Sequence, residues 1–183
     1  EGIDRSYTHY KSPAREKGTK MLKIRSKLWM YTPRTDRKIL ISGHLLRQSL
    51  MGSDLSYEDM MEDHKLSKSY AATFDSFANI GTIKCAVLNL TARDKKTTYQ
   101  TRKVWVNPED KTVLKEERSA KSGKLLKRIL FKDYEIIGTR KFPRTMIFKD
   151  LLKENTKTTY KFDVIEFDIE TPPSYFSQSI LKR

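Results

Sequence analysis

The chain has 183 residues, 37 Lys or Arg against 23 Asp or Glu, and a formal net charge of +14. Its hydrophobic share of 37% lies below the ~45–50% of ordinary globular chains, a figure that also counts Gly. Ten per cent aromatic content still supplies large side chains for a core, so one domain with a heavily charged skin is the expectation. No apolar run approaches the ~18–20 residues of a bilayer-spanning helix, and one cysteine, Cys85, excludes an internal disulfide framework. The excess positive charge points to an acidic partner: nucleic acid, anionic lipid headgroups or an acidic protein.

In chain order, residues 3–10 read as a polar extended run closed by a turn-rich stretch, 12–18. Residues 19–24, 27–32 and 38–41 follow as strands in quick succession, and connections this short require antiparallel neighbours in a meander. Residues 43–62 break the rhythm. Leu45, Leu46, Leu50, Met51, Leu55, Met60 and Met61 are spaced like short helices, and Ser56 three residues before Asp59 resembles a capping box.

Strands resume over 69–76, 82–91, 102–107, 112–119, 125–137, 140–149 and 156–169. In the last, Tyr160, Phe162 and Val164 share one face whereas Ile165, Phe167 and Ile169 share the other, which predicts a bulge or opposite cover at the two ends. Ser174 is placed to cap a short terminal helix through Leu181. So many antiparallel strands with few helices imply a strongly curved sheet or barrel, since a long flat sheet leaves edges and one apolar face open.

Constellations for catalysis are weak. His9, His44 and His64 are not at ligand spacing, and Cys85 sits in the apolar run 85–88 as a small buried hydrophobe. Glu58, Asp59, Glu62 and Asp63 pair at i,i+4, which reads as a solvated helix face whose first-turn carboxylates favour the dipole. Lys17-Gly18-Thr19 lacks the glycines of a phosphate loop and reads as a hairpin turn. No cofactor, metal or catalytic residue is expected.

Nucleic-acid binding is the rival. Tyr99, Arg102, Lys103 and Trp105, and residues 7–11, interleave aromatic and basic side chains, as stacking platforms do. The basic residues are otherwise scattered rather than gathered into a stripe, which makes core or cavity lining the stronger reading. The Leu/Met-rich segment is either an ordinary helix on the sheet or a flexible cover over an apolar cavity.

Four blocks in order resemble the outer-membrane lipoprotein-sorting family, a LolA-like group: residues 12–19, Leu28-Trp29-Met30-Tyr31-Thr32-Pro33, Ile41-Ser42-Gly43-His44, and Met51-Gly52-Ser53-Asp54-Leu55-Ser56-Tyr57-Glu58-Asp59-Met60. The similarity is nearest to the branch with spirochaetal phospholipid-binding lipoproteins, and Val104-Trp105-Val106-Asn107 and Pro173-Ser174-Tyr175-Phe176 also match it. It implies a mainly β fold with a few short helices, an incomplete antiparallel LolA/LolB-like barrel, with helices covering an apolar cavity. It also implies a non-catalytic periplasmic carrier of lipid or lipoprotein acyl chains. Such domains begin with a helix and a strand or two that are not found here, so the expectation is either that these precede Glu1 or that the barrel is open at that edge; a lipobox cysteine in such a preceding segment would anchor the protein to a membrane facing the periplasm.

Pattern and resemblance together nominate Trp29, Tyr31 and Trp105 as cavity lining and Leu45, Leu46, Leu50, Met51, Met60 and Met61 as its cover. Arg15, Lys17, Arg34 and Arg37 are nominated to hold an anionic headgroup. The partners implied are acyl chains, an anionic membrane surface, an inner-membrane transporter and an outer-membrane acceptor. No nucleic acid is expected on this reading, a basic β-sheet nucleic-acid binder being the alternative.

Overall fold

The short connections near the start of the chain do force a meander. A computed structural model describes residues 4–62, 66–95 and 97–182; Ile3, Asp63 and His64, which figure in the sequence reading, lie outside the described residues. The protein is mainly β, with two antiparallel sheets that are not closed, and it divides into two compact units.

In the first unit β1 (Arg5–His9), β2 (Lys20–Ile24), β3 (Lys27–Thr32) and β4 (Arg37–Ile41) lie side by side in sequence order, all antiparallel. Gly18 makes the β1–β2 turn: its N–H donates to the Tyr10 carbonyl at 2.8 Å. At φ +83°, with Pro33 Cγ 3.1 Å from where a Cβ would stand, only glycine is unstrained there. Strand β2 is buried on both faces, Met21 and Leu22 being 1% and 0% exposed. Leu28, Ile41, Leu50, Tyr57 and Leu181 complete that core.

The expected helical interruption follows β4: a 3-10 turn over Gly43–Arg47, another at Leu50–Gly52, then α1 (Tyr57–Met61). The capping box forms as read, with the Asp59 N–H donating to Ser56 Oγ and the Ser56 N–H to Asp59 Oδ2 at 2.7 Å. Lys23 Nζ donates to the Met61 carbonyl at 3.1 Å, satisfying a helix-end acceptor. The C-terminal segment departs from expectation. It forms two 3-10 turns, Pro173–Phe176 and Gln178–Leu181, broken at Ser177, whose extended backbone stops the first and whose Oγ caps the second.

The second unit is one sheet, again a meander: β5 (Tyr70–Ile80), β6 (Ile83–Ala92), β7 (Thr101–Val106), β8 (Val113–Ser119), β9 (Leu125–Ile137), β10 (Arg140–Asp150) and β11 (Thr158–Lys161). A one-turn helix, α2 (Leu66–Ser69), leads into β5. The strand expected over 156–169 ends at Lys161. Arg144 Nη1 donates to the Phe162 and Asp163 carbonyls at 2.9 and 3.0 Å, taking up acceptors a longer ladder would have used. The change of face after Val164 therefore falls beyond the strand and reflects no bulge within it.

Residues Met51–Leu55 belong to this second unit, fastened by Asp54. Its buried carboxylate accepts from the Asp150 N–H at 3.0 Å, Thr156 Oγ1 at 2.8 Å and Thr158 Oγ1 at 2.9 Å, while its carbonyl accepts from Lys127 Nζ at 2.6 Å. Burial acts to raise the carboxyl pKa, but these hydrogen bonds and Lys153 hold it below the usual range. We expect Asp54→Ala to cost about 3 kcal/mol, the scale of losing hydrogen bonds to a buried charged acceptor. A depressed native pKa gives stability that is present above the unfolded carboxylate value and lost as pH falls through the native one. Urea midpoints at pH 7 and pH 3 should therefore converge for wild type and variant at the acid end; a gap of equal size at both pH values would refute the latch.

Candidate functional site

Antiparallel register assigns the faces of the seven-stranded sheet, because residues directly opposite one another share a face. Val104 pairs with Glu116, Glu116 with Ile129, Ile129 with Phe148, and Phe131 with Met146, which pairs with Tyr160. One face thus carries Arg102, Val104, Glu116, Ile129, Phe131, Met146 and Tyr160. Trp105 and Lys115 fall on the other.

On the first face lies a cavity of about 590 Å³, lined by Leu66, Val104, Val113, Phe131, Pro143 and Met146 with Asp110, Lys111, Thr112, Glu116, Tyr134, Thr139 and Lys141. This volume is within the ~300–1,000 Å³ of ligand pockets. Strict alternation would not gather these side chains. Phe131 and Tyr134, three apart on β9, both reach the cavity because Asp133 between them adopts a left-handed conformation, φ 53°. On β8 the pairing shifts between Trp105 and Val106, and Val113 and Glu116, also three apart, both line it.

The polar lining is organised. Asp110 accepts from Lys141 Nζ and from Thr112 N and Oγ1 at 3.0 and 2.6 Å, and these bonds, the lysine's first, hold its carboxyl well below the carboxylate range. Lys141 Nζ also stands 6.0 Å from the Tyr134 ring centroid. Burial pushes the Tyr134 phenol up to about 12, and its O–H donates to the Val113 carbonyl at 2.6 Å. Lys111 Nζ donates to the Pro108 carbonyl.

Glu116 connects the cavity to a buried charge network. Its Oε1 accepts from Arg102 Nη1 at 2.6 Å and Arg118 Nε at 2.8 Å. Arg102 Cζ lies 4.7 Å from the Tyr70 ring centroid, and Arg118 Cζ 5.2 Å from that of Tyr99. Burial works against the Glu116 carboxylate, but the two guanidiniums prevail and its pKa is lowered.

Farther along the same face, the register shift between Phe74 and Ser76 brings Phe74 and Phe77 together, ring centroids 5.1 Å apart, both more than half exposed. They sit on β5, an edge strand of the sheet, and Lys84 Nζ stands 4.8 Å over the Phe77 ring.

The residues nominated from sequence are placed as follows. Trp29 and Tyr31 are half-buried on β3; Lys38 Nζ lies 5.6 Å over the Trp29 ring, and the Tyr31 O–H donates to Asp36 Oδ1 at 3.1 Å. Leu45, Leu46, Met51, Met60 and Met61 are half-buried and Leu50 is buried. Arg15, Lys17, Arg34 and Arg37 are exposed, Arg15 within 3.5 Å of Glu16. None of these lines the cavity on the seven-stranded sheet. Trp105 does not either: it is 8% exposed, packed with Cys85 and Val87 on the opposite face, with Lys115 Nζ 3.9 Å over its ring. Of the aromatic and basic run 99–105, Tyr99, Arg102 and Trp105 are likewise buried, which removes the rings as a base-stacking platform. The signal for the cavity was the other parity of β7, Val104, which the neighbouring tryptophan overshadowed.

Solved structures share this fold. A DUF1329 family protein from Desulfovibrio piger superposes with a TM-score of 0.87 at 26% identity, covering 97% of this chain and 76% of its own. An outer membrane lipoprotein-sorting protein domain from Vibrio parahaemolyticus gives 0.83 at 23%, covering 98% and 77%. A LolA superfamily protein from Nitrosomonas europaea gives 0.78 at 24%, covering 98% and 79%. The chain belongs to a family described as uncharacterized protein, whose model matches residues 2–183. No curated protein matches it.

Proposed function

We propose that the protein is a non-catalytic carrier that binds lipid, or the acyl chains of lipoproteins, for lipoprotein sorting or lipid transfer in the periplasm. The observation that carries this reading is the cavity of about 590 Å³ with Leu66, Val104, Val113, Phe131, Pro143 and Met146 in its wall. Burying an acyl chain yields ~0.8 kcal/mol per methylene, so half a dozen methylenes contribute about 5 kcal/mol before ordering costs, with no polar contact to the tail. The fold shared with a domain described as sorting outer-membrane lipoproteins supports the same reading.

In this proposal the net charge of +14 draws the carrier to anionic bilayers. Phe74 and Phe77, exposed beside Lys84, offer the apolar and basic combination that seats at an interface. An inner-membrane transporter would load it and an outer-membrane acceptor unload it. Trp29, Tyr31, Leu45, Leu46, Leu50, Met51, Met60, Met61 and Trp105 remain proposed contributors to ligand binding, with Arg15, Lys17, Arg34 and Arg37 proposed for headgroups.

Organic extraction of the purified protein followed by mass spectrometry should release lipid. Delipidated protein should take up lipid from anionic vesicles, less well at high salt. Protein that carries no lipid and takes up none overturns the carrier reading.

A further inference from the structure

Resting on the carrier reading, we infer that this cavity takes a single-chain anionic amphiphile, its tail against Val104, Phe131 and Met146 and its acidic head between Lys111 and Lys141. Size argues for one chain. At ~30 Å³ for a group the size of a water molecule, about 590 Å³ holds roughly twenty such groups, which suits one long acyl chain with a small head.

Charge argues for an acidic head. The charged side chains in the wall are Asp110, Lys111, Glu116 and Lys141. Glu116 is taken by two arginines, so that network carries a net positive charge. Asp110 is shared between Lys141 and the Thr112 N–H and hydroxyl. Lys111 Nζ is bonded to a backbone carbonyl, that of Pro108, so its charge is not neutralised there. Outside the Glu116 network the wall thus has one carboxylate against two ammonium groups, both exposed enough to turn toward a ligand. An incoming carboxylate or phosphate monoester completes the set, whereas an alcohol or a choline head gains nothing from it.

Oleate, oleyl alcohol, lysophosphatidate and lysophosphatidylcholine, titrated against the delipidated full chain, separate the possibilities. Both acidic probes should bind about 10-fold more tightly than their uncharged or zwitterionic counterparts, with the advantage shrinking as salt rises from 0.05 to 0.5 M. A preference confined to oleate names a fatty carboxylate as the ligand, and one confined to lysophosphatidate a phosphate head. In Lys111→Ala/Lys141→Ala the advantage should vanish while oleyl alcohol binding stays. Asp110→Asn, which releases Lys141 but keeps an acceptor for the Thr112 N–H, should tighten oleate and lysophosphatidate and leave oleyl alcohol unchanged. Equal binding of charged and uncharged probes in the unaltered protein overturns this inference and leaves the carrier reading standing. Binding of none overturns both.

Discussion

Replacing Glu116 with alanine is expected to cost about 3–5 kcal/mol, the scale of breaking a buried ion pair by removing one partner. The side chains of Arg102, Glu116 and Arg118 are 3%, 7% and 10% exposed, so without the carboxylate two guanidiniums share a nearly dry site. The rings of Tyr70 and Tyr99 soften that cost through cation–π contact, worth ~0.5–2 kcal/mol each, but cannot replace a full charge. The Glu116 pKa is lowered because the arginines outweigh burial. Its contribution is therefore present above the unfolded value, ~4.3, and is lost as pH falls through the native one. Urea denaturation should show the full deficit at pH 7 and a smaller one in acid. The triple replacement Arg102→Met/Glu116→Leu/Arg118→Met should recover most of the loss, because an apolar set of similar volume removes all three buried charges. An alanine variant within 1 kcal/mol of wild type at pH 7 would show that water reaches the network.

Much of the fold was legible because its signals are local. The first meander follows from connections too short for anything but antiparallel neighbours, as between β2 and β3 across Arg25 and Ser26. The α1 start follows from a serine and an aspartate three apart. What was not legible depends on distant partners. β11 stops at Lys161 because the Arg144 guanidinium claims the next carbonyls, and nothing in residues 156–169 announces it. The segment Met51–Leu55 read as part of a Leu/Met cover, yet its most consequential side chain is Asp54, whose partners lie about a hundred residues away in sequence.

The candidate site was less legible than the fold, and the reason is parity. A strand displays two sets of side chains, and composition directs the eye to the larger set. On β7 that set is Trp105, which packs with Cys85 and Val87, while the cavity takes Val104. Bulges compound the difficulty. Val113 with Glu116, and Phe131 with Tyr134, come to one face only through irregularities at a shifted pairing and at Asp133. The same holds for the meaning of the positive charge. Its scatter counted against a nucleic-acid stripe, the interleaved Tyr99, Arg102 and Trp105 are buried in the sheet, and two of the lysines, Lys111 and Lys141, stand in the cavity wall.

Introducing a carboxylate at Met146 should lower affinity for an acyl chain about 100-fold. Met146 lies between Phe131 on β9 and Tyr160 on β11, in the wall of the cavity, where a tail would remove it from water. A glutamate there must surrender its hydration to the tail or be protonated first, and either cost exceeds the methylenes gained beside it. Met146→Leu conserves volume and apolarity, so binding should be unchanged. Lys149→Glu places a new carboxylate on the same strand, exposed and on the opposite face, and should leave the affinity for oleyl alcohol unchanged. That probe has no charge of its own, so a loss confined to Met146→Glu reports on the position of the carboxylate rather than on net charge. Fluorescence displacement with the three variants, each checked by circular dichroism, measures this directly. Wild-type affinity in a folded Met146→Glu protein would place the tail elsewhere, and the leucines and methionines of residues 45–61 would then be the next surface to test.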